Sequence, residues 1–439
     1  MDLQTALDAL ADYPVLCAYN ANVDAIRRVD TDLEAFLGPP GESPNGRLDS
    51  RGELAAAIAA TMADGSGDER AMTTAFAADL ESSLTADEQR LGGQAGIMSD
   101  VLSSLGGAPV LYTYLLSERQ RAQFIHADGI RFPVVEEGRL ALRPLDDAPT
   151  ADRTKLNWIF EFDDGDTFCG TTATDASRFI AASRPDEFDL HTPVDDHAVE
   201  LGERVGCAVL SGFHSVNREY ESGETFETCL DNAAAFVRAV GRNARVQVEL
   251  GVTHDPDVRR RLREVVVPEA DVVSLDSREL DQLRDDLGLS TRERHDHAVT
   301  RRYETLDRVR ERLGVDALSF HAKSYFLATF DDGYLPPAAV KEGFDFAACV
   351  AAAKAEDGLV TGAADLGDAT QFERAAEGVD AVGRLAAHLD VPSVDGAIAS
   401  PGVVAVANRV VDNPASTVGI GDAVSVTSFA LANAVADER

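Results

Sequence analysis

The chain has 439 residues, 45% of them hydrophobic, enough to bury a large core and to form one large domain with a smaller one. Forty Lys+Arg against 76 Asp+Glu give a formal net charge of -36, with both signs interspersed among apolar residues, which speaks against nucleic acid as a partner and against disorder. Sparse lysine with abundant Asp, Glu, Ala and Gly points to adaptation to very high salt, where self-repulsion is screened because the Debye length is about 3 Å at 1 M; an ordinary acidic protein is the alternative.

Five widely spaced cysteines (Cys17, Cys169, Cys207, Cys229, Cys349) form no C-x-x-C pair and fit a reducing cytoplasm. No apolar run approaches the roughly 20 residues needed to cross a bilayer, so no membrane is expected as a partner. The chain opens with Met1-Asp2 and no basic leader. The expected assembly is a monomer or small homo-oligomer.

In chain order, 14–18 reads as a first strand that ends in Tyr19-Asn20-Ala21-Asn22-Val23-Asp24. Residues 39–49 read as a loop, and 53–61 and 71–84 carry helical periodicity. Gly92-Gly93-Gln94 precedes a helix over 97–105, and 109–115 is the next strand. Alternating runs at 131–135, 140–143, 157–162 and 166–169 look like strands of a small sheet set into an α/β chain. From 207 the rhythm is regular: strands at 207–211, 245–250, 272–275, 317–321 and 403–407 alternate with helices at 223–240, 256–265, 290–313, 340–353 and 372–387. That alternation implies a three-layer α/β domain with a mostly parallel sheet, and ligands lie beyond the C-terminal ends of its strands.

Several residues are placed to carry chemistry. Gly419-Ile420-Gly421-Asp422 feeds a small-residue helix whose free N–H groups favour an anion, and Asp422 stands beside them as a base for an attacking hydroxyl. A plain helix cap at Asp422 is the alternative. Asn20, Asn22 and Asp24 alternate, so in an extended chain they face one spot suited to polyol hydroxyls; a polar turn is the alternative. Gly92, Gly93 and Gln94 offer backbone N–H groups and an amide at a helix start, or only a flexible turn. Glu249 and Glu279 end two strands and suit a divalent ion, held directly or through waters, or are ordinary strand-end charges. His214 and His321 also end strands and are either nucleotide contacts or structural. Trp158 and the tyrosines read as core.

Together these stretches resemble the ADP-dependent sugar kinases, the glucokinase and phosphofructokinase group of the ribokinase-like superfamily, archaeal type. The resemblance rests on YNANVDAI at 19–26, RLGGQAGI at 90–97, NWIFEF at 157–162, SRFI at 177–180 and SGFHSV at 211–216. It continues through VQVELG at 246–251, FHAKSY at 320–325 and NPASTVGIGDAVS at 413–425. It implies a ribokinase-like three-layer α/β/α large domain with a small β-sheet-containing lid domain. The implied segments are 1–18 in the large domain, 19–50 in the lid with the sugar-site strand, 51–130 mainly in the large domain, 131–182 in the main β-rich lid, and 183–439 in the large nucleotide-binding domain.

The resemblance further implies transfer of the β-phosphoryl of ADP to a sugar or sugar phosphate, with Asp422 as base and Gly419, Ile420 and Gly421 as anion hole. Asn20, Asn22, Asp24, Gly92, Gly93, Gln94 and Arg178 are the implied acceptor-binding residues. His321, Asn408 and Val418 are the implied nucleotide contacts, and Glu249 and Glu279 organise Mg²⁺. Two positions depart from the family pattern: Gln247 stands where a histidine is usual, and Asp276 where an asparagine is usual. Cationic candidates for the far end of fructose 6-phosphate are Arg178, Lys155, Arg131 and Lys323; Asp87 or Glu88 would suit glucose. Phosphofructokinase is the favoured reading. The alternatives are an ADP-dependent glucokinase or bifunctional enzyme, an ATP-dependent ribokinase-type kinase, and a non-catalytic sugar-binding protein.

Overall fold

The strand Pro14–Tyr19 is apolar on both faces, as a strand covered by helices on both sides must be. Val15 and Cys17 enter one apolar cluster, and Leu16 and Ala18 enter another. The first cluster is closed by the helices Leu3–Leu10, Gln94–Ser104, Pro337–Asp357 and Ile420–Asp437. The second is closed by Phe226–Val240, Pro256–Val265, Ala298–Leu313 and Ala376–Leu389. A computed structural model of the chain describes residues 1–42, 46–184, 191–220, 223–253, 255–289, 297–416 and 418–438. The expected helix over 290–313 is thus seen as Ala298–Leu313, its positions 290–296 lying outside the described residues, as do 43–45 of the expected loop and Thr417 of the C-terminal motif.

The strands are β1 (Pro14–Tyr19), β2 (Asn22–Arg28), β3 (Asp68–Ala71), β4 (Glu88–Gly92), β5 (Ala108–Thr113), β6 (Arg131–Glu136), β7 (Arg139–Pro144) and β8 (Leu156–Phe162). They continue as β9 (Thr167–Phe168), β10 (Thr171–Thr172), β11 (Ser177–Ala182), β12 (Cys207–Leu210), β13 (Arg245–Glu249) and β14 (Val272–Leu275). The last are β15 (Ala317–His321), β16 (Tyr325–Phe330), β17 (Ala397–Ser400) and β18 (Val403–Ala407).

Eleven of them form one sheet in the order β17-β18-β16-β15-β14-β13-β12-β1-β5-β6-β7. Pairing is parallel from β15 to β6 and antiparallel at both edges. With helices on both faces, this is the ribokinase-like α/β/α core, accompanied by a smaller β-rich lid.

The lid sheet has the order β3-β11-β8-β2-β4. Val23, Trp158, Phe160, Phe162 and Phe179 turn to one side and pack under Leu54, Ile58 and Met62 of the helix Arg51–Asp64. Trp158 is therefore core, as its sequence context suggests. The alternate residues Asp24, Glu161 and Arg178 turn to the other side and line a cleft.

Two expectations about the lid are corrected. The strands expected at 131–135 and 140–143 are β6 and β7, and they extend the large sheet: Arg131 pairs with Val110 of β5. The tight turn at Glu137 and Gly138, both at positive φ, makes a local hairpin, and such a hairpin reads the same from sequence whichever sheet it joins. Its Phe132 and Val134 pack with Val15 of the large sheet. Conversely, β3, β4 and the helix Arg51–Asp64, expected mainly in the large domain, build the lid sheet and its cover. The strand expected at 166–169 shrinks to the separate two-residue pair β9 and β10, because Cys169 and Gly170 turn the chain at positive φ.

Candidate active site

β1 leaves the large sheet at Tyr19, and two residues later β2 enters the lid. Asn22 and Asp24 therefore sit at the junction, on one side of an extended strand. Asn22 Nδ2 donates to Asp24 Oδ1 at 2.6 Å, while Asn22 Oδ1 is buried with no partner. A buried acceptor left open is costly and fits a hydroxyl donor arriving from the cleft. Burial raises the Asp24 pKa to about 6, with the Asn22 hydrogen bond and Lys155 pulling it back.

Asn20 does not join this pair. It precedes β2, and its Oδ1 accepts from Lys155 Nζ at 2.6 Å. Lys155 is 1% exposed, and burial lowers its pKa to about 7 against the pull of Glu69 and Asp24. Lys155 thus underpins the crossing between the sheets rather than reaching out over it.

β4 returns antiparallel to β2, with Gly92 opposite Asn22. A Cβ at Gly92 would stand 2.4 Å from Asn22 Nδ2 and Asp24 Oδ1. Gly93 has φ +79, and a Cβ there would stand 2.6 Å from the Asn20 carbonyl. Both positions need glycine because the two crossings of the chain touch here. Gly93 is also the uncapped start of the helix Gln94–Ser104. The Gln94 Oε1 accepts from the Gly212 N–H at 2.9 Å, and its amide bonds toward the Asp422 carboxylate.

The C-terminal helix Ile420–Asp437 starts at Gly419, which has φ +67 and no side chain to cap it. The first intrahelical bond runs from Ala423 N to Gly419 O at 3.1 Å, so Ile420, Gly421 and Asp422 keep N–H groups without helical partners. Asp422 is the third helical residue, so the capping alternative does not hold: Gly419 is the N-cap. Burial raises the half-buried Asp422 to a pKa of about 6, opposed by the Gln94 hydrogen bond and by Lys354. A Cβ on Gly421 would stand 3.1 Å from His321 Nε2. His321, at the end of β15, has its pKa lowered by burial, which keeps the imidazole neutral.

Three carboxylates, Glu249, Asp276 and Glu279, lie within electrostatic reach of one another and of Asp422. Glu249 is buried at the end of β13, and burial lifts its pKa to about 8, with Asp422 and Asp276 adding to the rise against the Ser425 hydrogen bond. Glu279 is raised well above the carboxylate range by burial, then by Asp276 and Glu249. Asp276 caps the helix Ser277–Asp286 by accepting from Arg278 N and Glu279 N, and Glu279 Oε2 closes the box by accepting from Asp276 N at 2.8 Å. Asp276 thus serves as the N-cap, a position where Asp and Asn are equivalent. Among the described residues no three His, Cys, Asp or Glu side chains converge as direct metal ligands. Glu249 and Glu279 are both buried, and among the described residues neither forms an ion pair with a basic side chain, a state that is costly without a compensating cation.

Other expected residues fall in different places. Arg178 of β11 lines two clefts, one with Asp24 and the other with Gln94. Glu88 is bridged by Arg90 at 2.6 Å within β4, and Asp87 is bridged by Arg27. Lys323 is exposed in the β15–β16 turn, where its carbonyl accepts from Asn408 Nδ2 at 2.9 Å. β15 is four strands from β1, about 19 Å at normal strand spacing, so Lys323 is not brought to Asn22 and Asp24. Asn408 Oδ1 accepts from Arg409 N at 2.8 Å, so its side chain ties β18 to that turn. Val418 precedes Gly419 at the cleft wall.

Sequence reading missed Glu69, Arg184 and Lys354. Arg184 and His214 meet Arg178, Gln94 and Glu279 around a cleft of about 450 Å³. Arg184 lies 3.6 Å from Glu69. Burial alone would raise the Glu69 carboxyl, but His214, Arg184 and Lys155 outweigh it and hold it low. No motif links these residues in sequence; the lid sheet brings them together.

The profile of the ADP-specific phosphofructokinase/glucokinase conserved region matches residues 13–431. The chain belongs to this family. Within it, the chain is 27% identical to the ADP-specific phosphofructokinase of Pyrococcus furiosus, over 96% of this chain and 97% of that one. It is 26% identical to the ADP-dependent glucose/glucosamine kinase of the same organism, over 94% and 93%. A solved ADP-dependent kinase in complex with fructose-6-phosphate and ADPβS superposes with a TM-score of 0.85 at 25% identity, covering 100% of this chain and 97% of that one. Family membership and the arrangement of Asp422 over the open N-terminus of the C-terminal helix agree.

Proposed function

We propose that the chain is an ADP-dependent phosphofructokinase, passing the β-phosphoryl of ADP to the 1-hydroxyl of fructose 6-phosphate and releasing AMP. The observation that carries the reading is Asp422: a carboxylate one helical turn inside an uncapped helix start, held by Gln94, two residues after the Gly92 that packs against Asn22 and Asp24. The acceptor oxygen attacks the β-phosphorus and its proton passes to Asp422. The bond from the β-phosphorus to the bridging oxygen breaks, and AMP leaves with the electron pair. The Ile420, Gly421 and Asp422 N–H groups offset charge on the moving phosphoryl.

The acceptor reading rests on charge. In a chain of net charge -36, Arg178, Arg184 and His214 converge beside Gln94 on one cleft that they share with Asp68, Glu69 and Glu279, with Lys155 behind them. A sugar bearing a phosphate suits that surface. The glucose reading loses the acidic contacts expected for it, because Asp87 and Glu88 are already bridged by arginines. On the donor side, His321, Val418 and Asn408 belong to the nucleotide's half of the site, Asn408 by bracing its wall.

Glu249 and Glu279 would hold Mg²⁺ through water molecules, and the ion supplies charge neutralisation for the donor phosphates. The acidic composition fits an enzyme working at high salt inside a cell, although family membership alone carries no such requirement.

Arg178→Ala and Arg184→Ala test the acceptor. Each is expected to raise KM for fructose 6-phosphate about tenfold or more, since a hydrogen bond to a charged group is worth about 1.5–3 kcal/mol. Unchanged KM in both variants, with wild-type activity on glucose, would transfer the assignment to a glucokinase.

A further inference from the structure

The chain contains four lysines: Lys155, Lys323, Lys341 and Lys354. Burying one is costly unless its charge is used. Lys354 is 8% exposed, in the last turn of the helix Pro337–Asp357, which packs along the C-terminal helix. Its Cε lies 3.5 Å from the point that a Cβ on Gly419 would occupy, so the stem runs along the turn that opens the C-terminal helix. Together with Val418, Asp24 and Arg178 it lines a cleft of about 660 Å³ between the lid sheet and the helices Gln94–Ser104 and Pro337–Asp357.

Its ammonium makes no hydrogen bond or ion pair among the described residues. The two nearby acids are engaged elsewhere. Asp100 Oδ1 accepts from the Ile125 and His126 N–H groups, each at 2.9 Å, and Asp422 is held by Gln94. Both act on Lys354 only through space, while Arg90 opposes them. Two independent observations therefore meet at one place: three helix-start N–H groups and, beside them, a buried lysine, all without partners among the described residues. Each favours a negative charge at the same spot.

We propose that Lys354 contacts the phosphoryl group in transfer, adding a full positive charge to the N–H groups of Ile420, Gly421 and Asp422. This role rests on the phosphotransfer reading above. In the transfer step the acceptor proton goes to Asp422 and the electron pair leaves with AMP, while Lys354 keeps its proton and changes only the cost of charge on the phosphoryl oxygens. A cation that follows the phosphoryl oxygens from donor to acceptor raises kcat to the extent that it holds the transition state more strongly than bound ADP.

The experiment compares Lys354→Met and Lys354→Arg with wild type and with Lys341→Met. Lys341 is a control on the same helix, paired with Asp345 at 2.5 Å and outside the cleft. Lys354→Met is expected to lower kcat about 100-fold or more, the usual cost of losing one anion-hole donor, with KM for ADP and acceptor within about threefold. Lys354→Arg is expected to recover much of that loss, and Lys341→Met to behave as wild type. Thermal melts establish that each variant is folded. If Lys354→Met does not fold, Lys354→Gln replaces it, removing the charge while keeping a polar head.

A folded, charge-neutral variant retaining kcat within about threefold of wild type overturns the proposal. Equal losses in Lys354→Arg and the neutral variant, with KM shifted as well, also overturn it, because they describe packing rather than charge. A wild type inert with every donor and acceptor overturns the phosphotransfer reading and this inference with it. An active wild type beside an indifferent variant overturns the inference alone.

Discussion

Gln247 Nε2 donates to Ser425 Oγ at 2.7 Å, and Ser425 in turn donates to Glu249. Ser425 Oγ also lies 3.1 Å from Ser274 Oγ. Gln247 is thus the outer anchor of a chain ending on a candidate metal-site carboxylate. Gln247→Ala is expected to raise the Mg²⁺ concentration for half-maximal rate about tenfold, the scale at which outer partners tune a metal site. Titration of rate against Mg²⁺ checks this; an unchanged midpoint would make Gln247 a packing residue only.

Gly93 joins the lid to the helix Gln94–Ser104 where the two chain crossings touch. Gly93→Ala meets both a positive φ and a Cβ 2.6 Å from a carbonyl oxygen. Its backbone strain alone costs about 1–3 kcal/mol, and the clash adds to it. Urea unfolding is expected to show a loss at least that large, whereas Gly138→Ala, which shares the positive φ but meets open space, shows a smaller one. Equal losses would mean that the close approach contributes nothing.

Two pH effects follow from burial, and both rise with pH, in different windows. Asp422 accepts the acceptor's proton and is held up to about 6, so kcat/KM falls as pH drops through that value. Asp24, also near 6, steepens the fall. Lys155 acts on stability, at higher pH. Its folded pKa of about 7 lies below the ordinary 10.5, so between the two the unfolded chain binds more protons and stability rises with pH. Lys155→Met is expected to flatten that rise in denaturant melts taken from pH 7 to 10. A slope identical to wild type would place the titration on another group.

The net charge of -36 makes stability depend on screening. Melting temperature is expected to climb from about 0.1 M to 2 M KCl, as the Debye length falls from about 10 Å to under 3 Å. A flat profile would leave the protein acidic but not salt-adapted.

The large sheet was legible because its strands are apolar on both faces and alternate with amphipathic helices at regular intervals. The lid was only partly so. A hairpin such as β6–β7 carries the same alternation whichever sheet it joins, and only pairing with β5 decides. Asp422, Asn22, Asp24 and the paired glutamates stood out because each sits at a strand end or in a glycine turn with a local signature. Asn20 looked like a third member of the sugar pair, yet the chain bends between β1 and β2, and Lys155 claims its side chain. Arg184, Glu69 and Lys354 have no local signature at all. Their meaning comes from which element lies opposite, and a buried lysine looks in sequence like one more charge on a helix.

The most direct test of the central claim is a matrix of initial rates with Mg²⁺ in about 2–3 M KCl, where charge repulsion is screened. It sets ADP or ATP against fructose 6-phosphate or glucose, for wild type and Asp422→Ala. The account predicts AMP and fructose 1,6-bisphosphate from ADP in wild type, and nearly complete loss of transfer in a folded Asp422→Ala. Turnover with ATP alone, or an Asp422→Ala variant as fast as wild type, would contradict it.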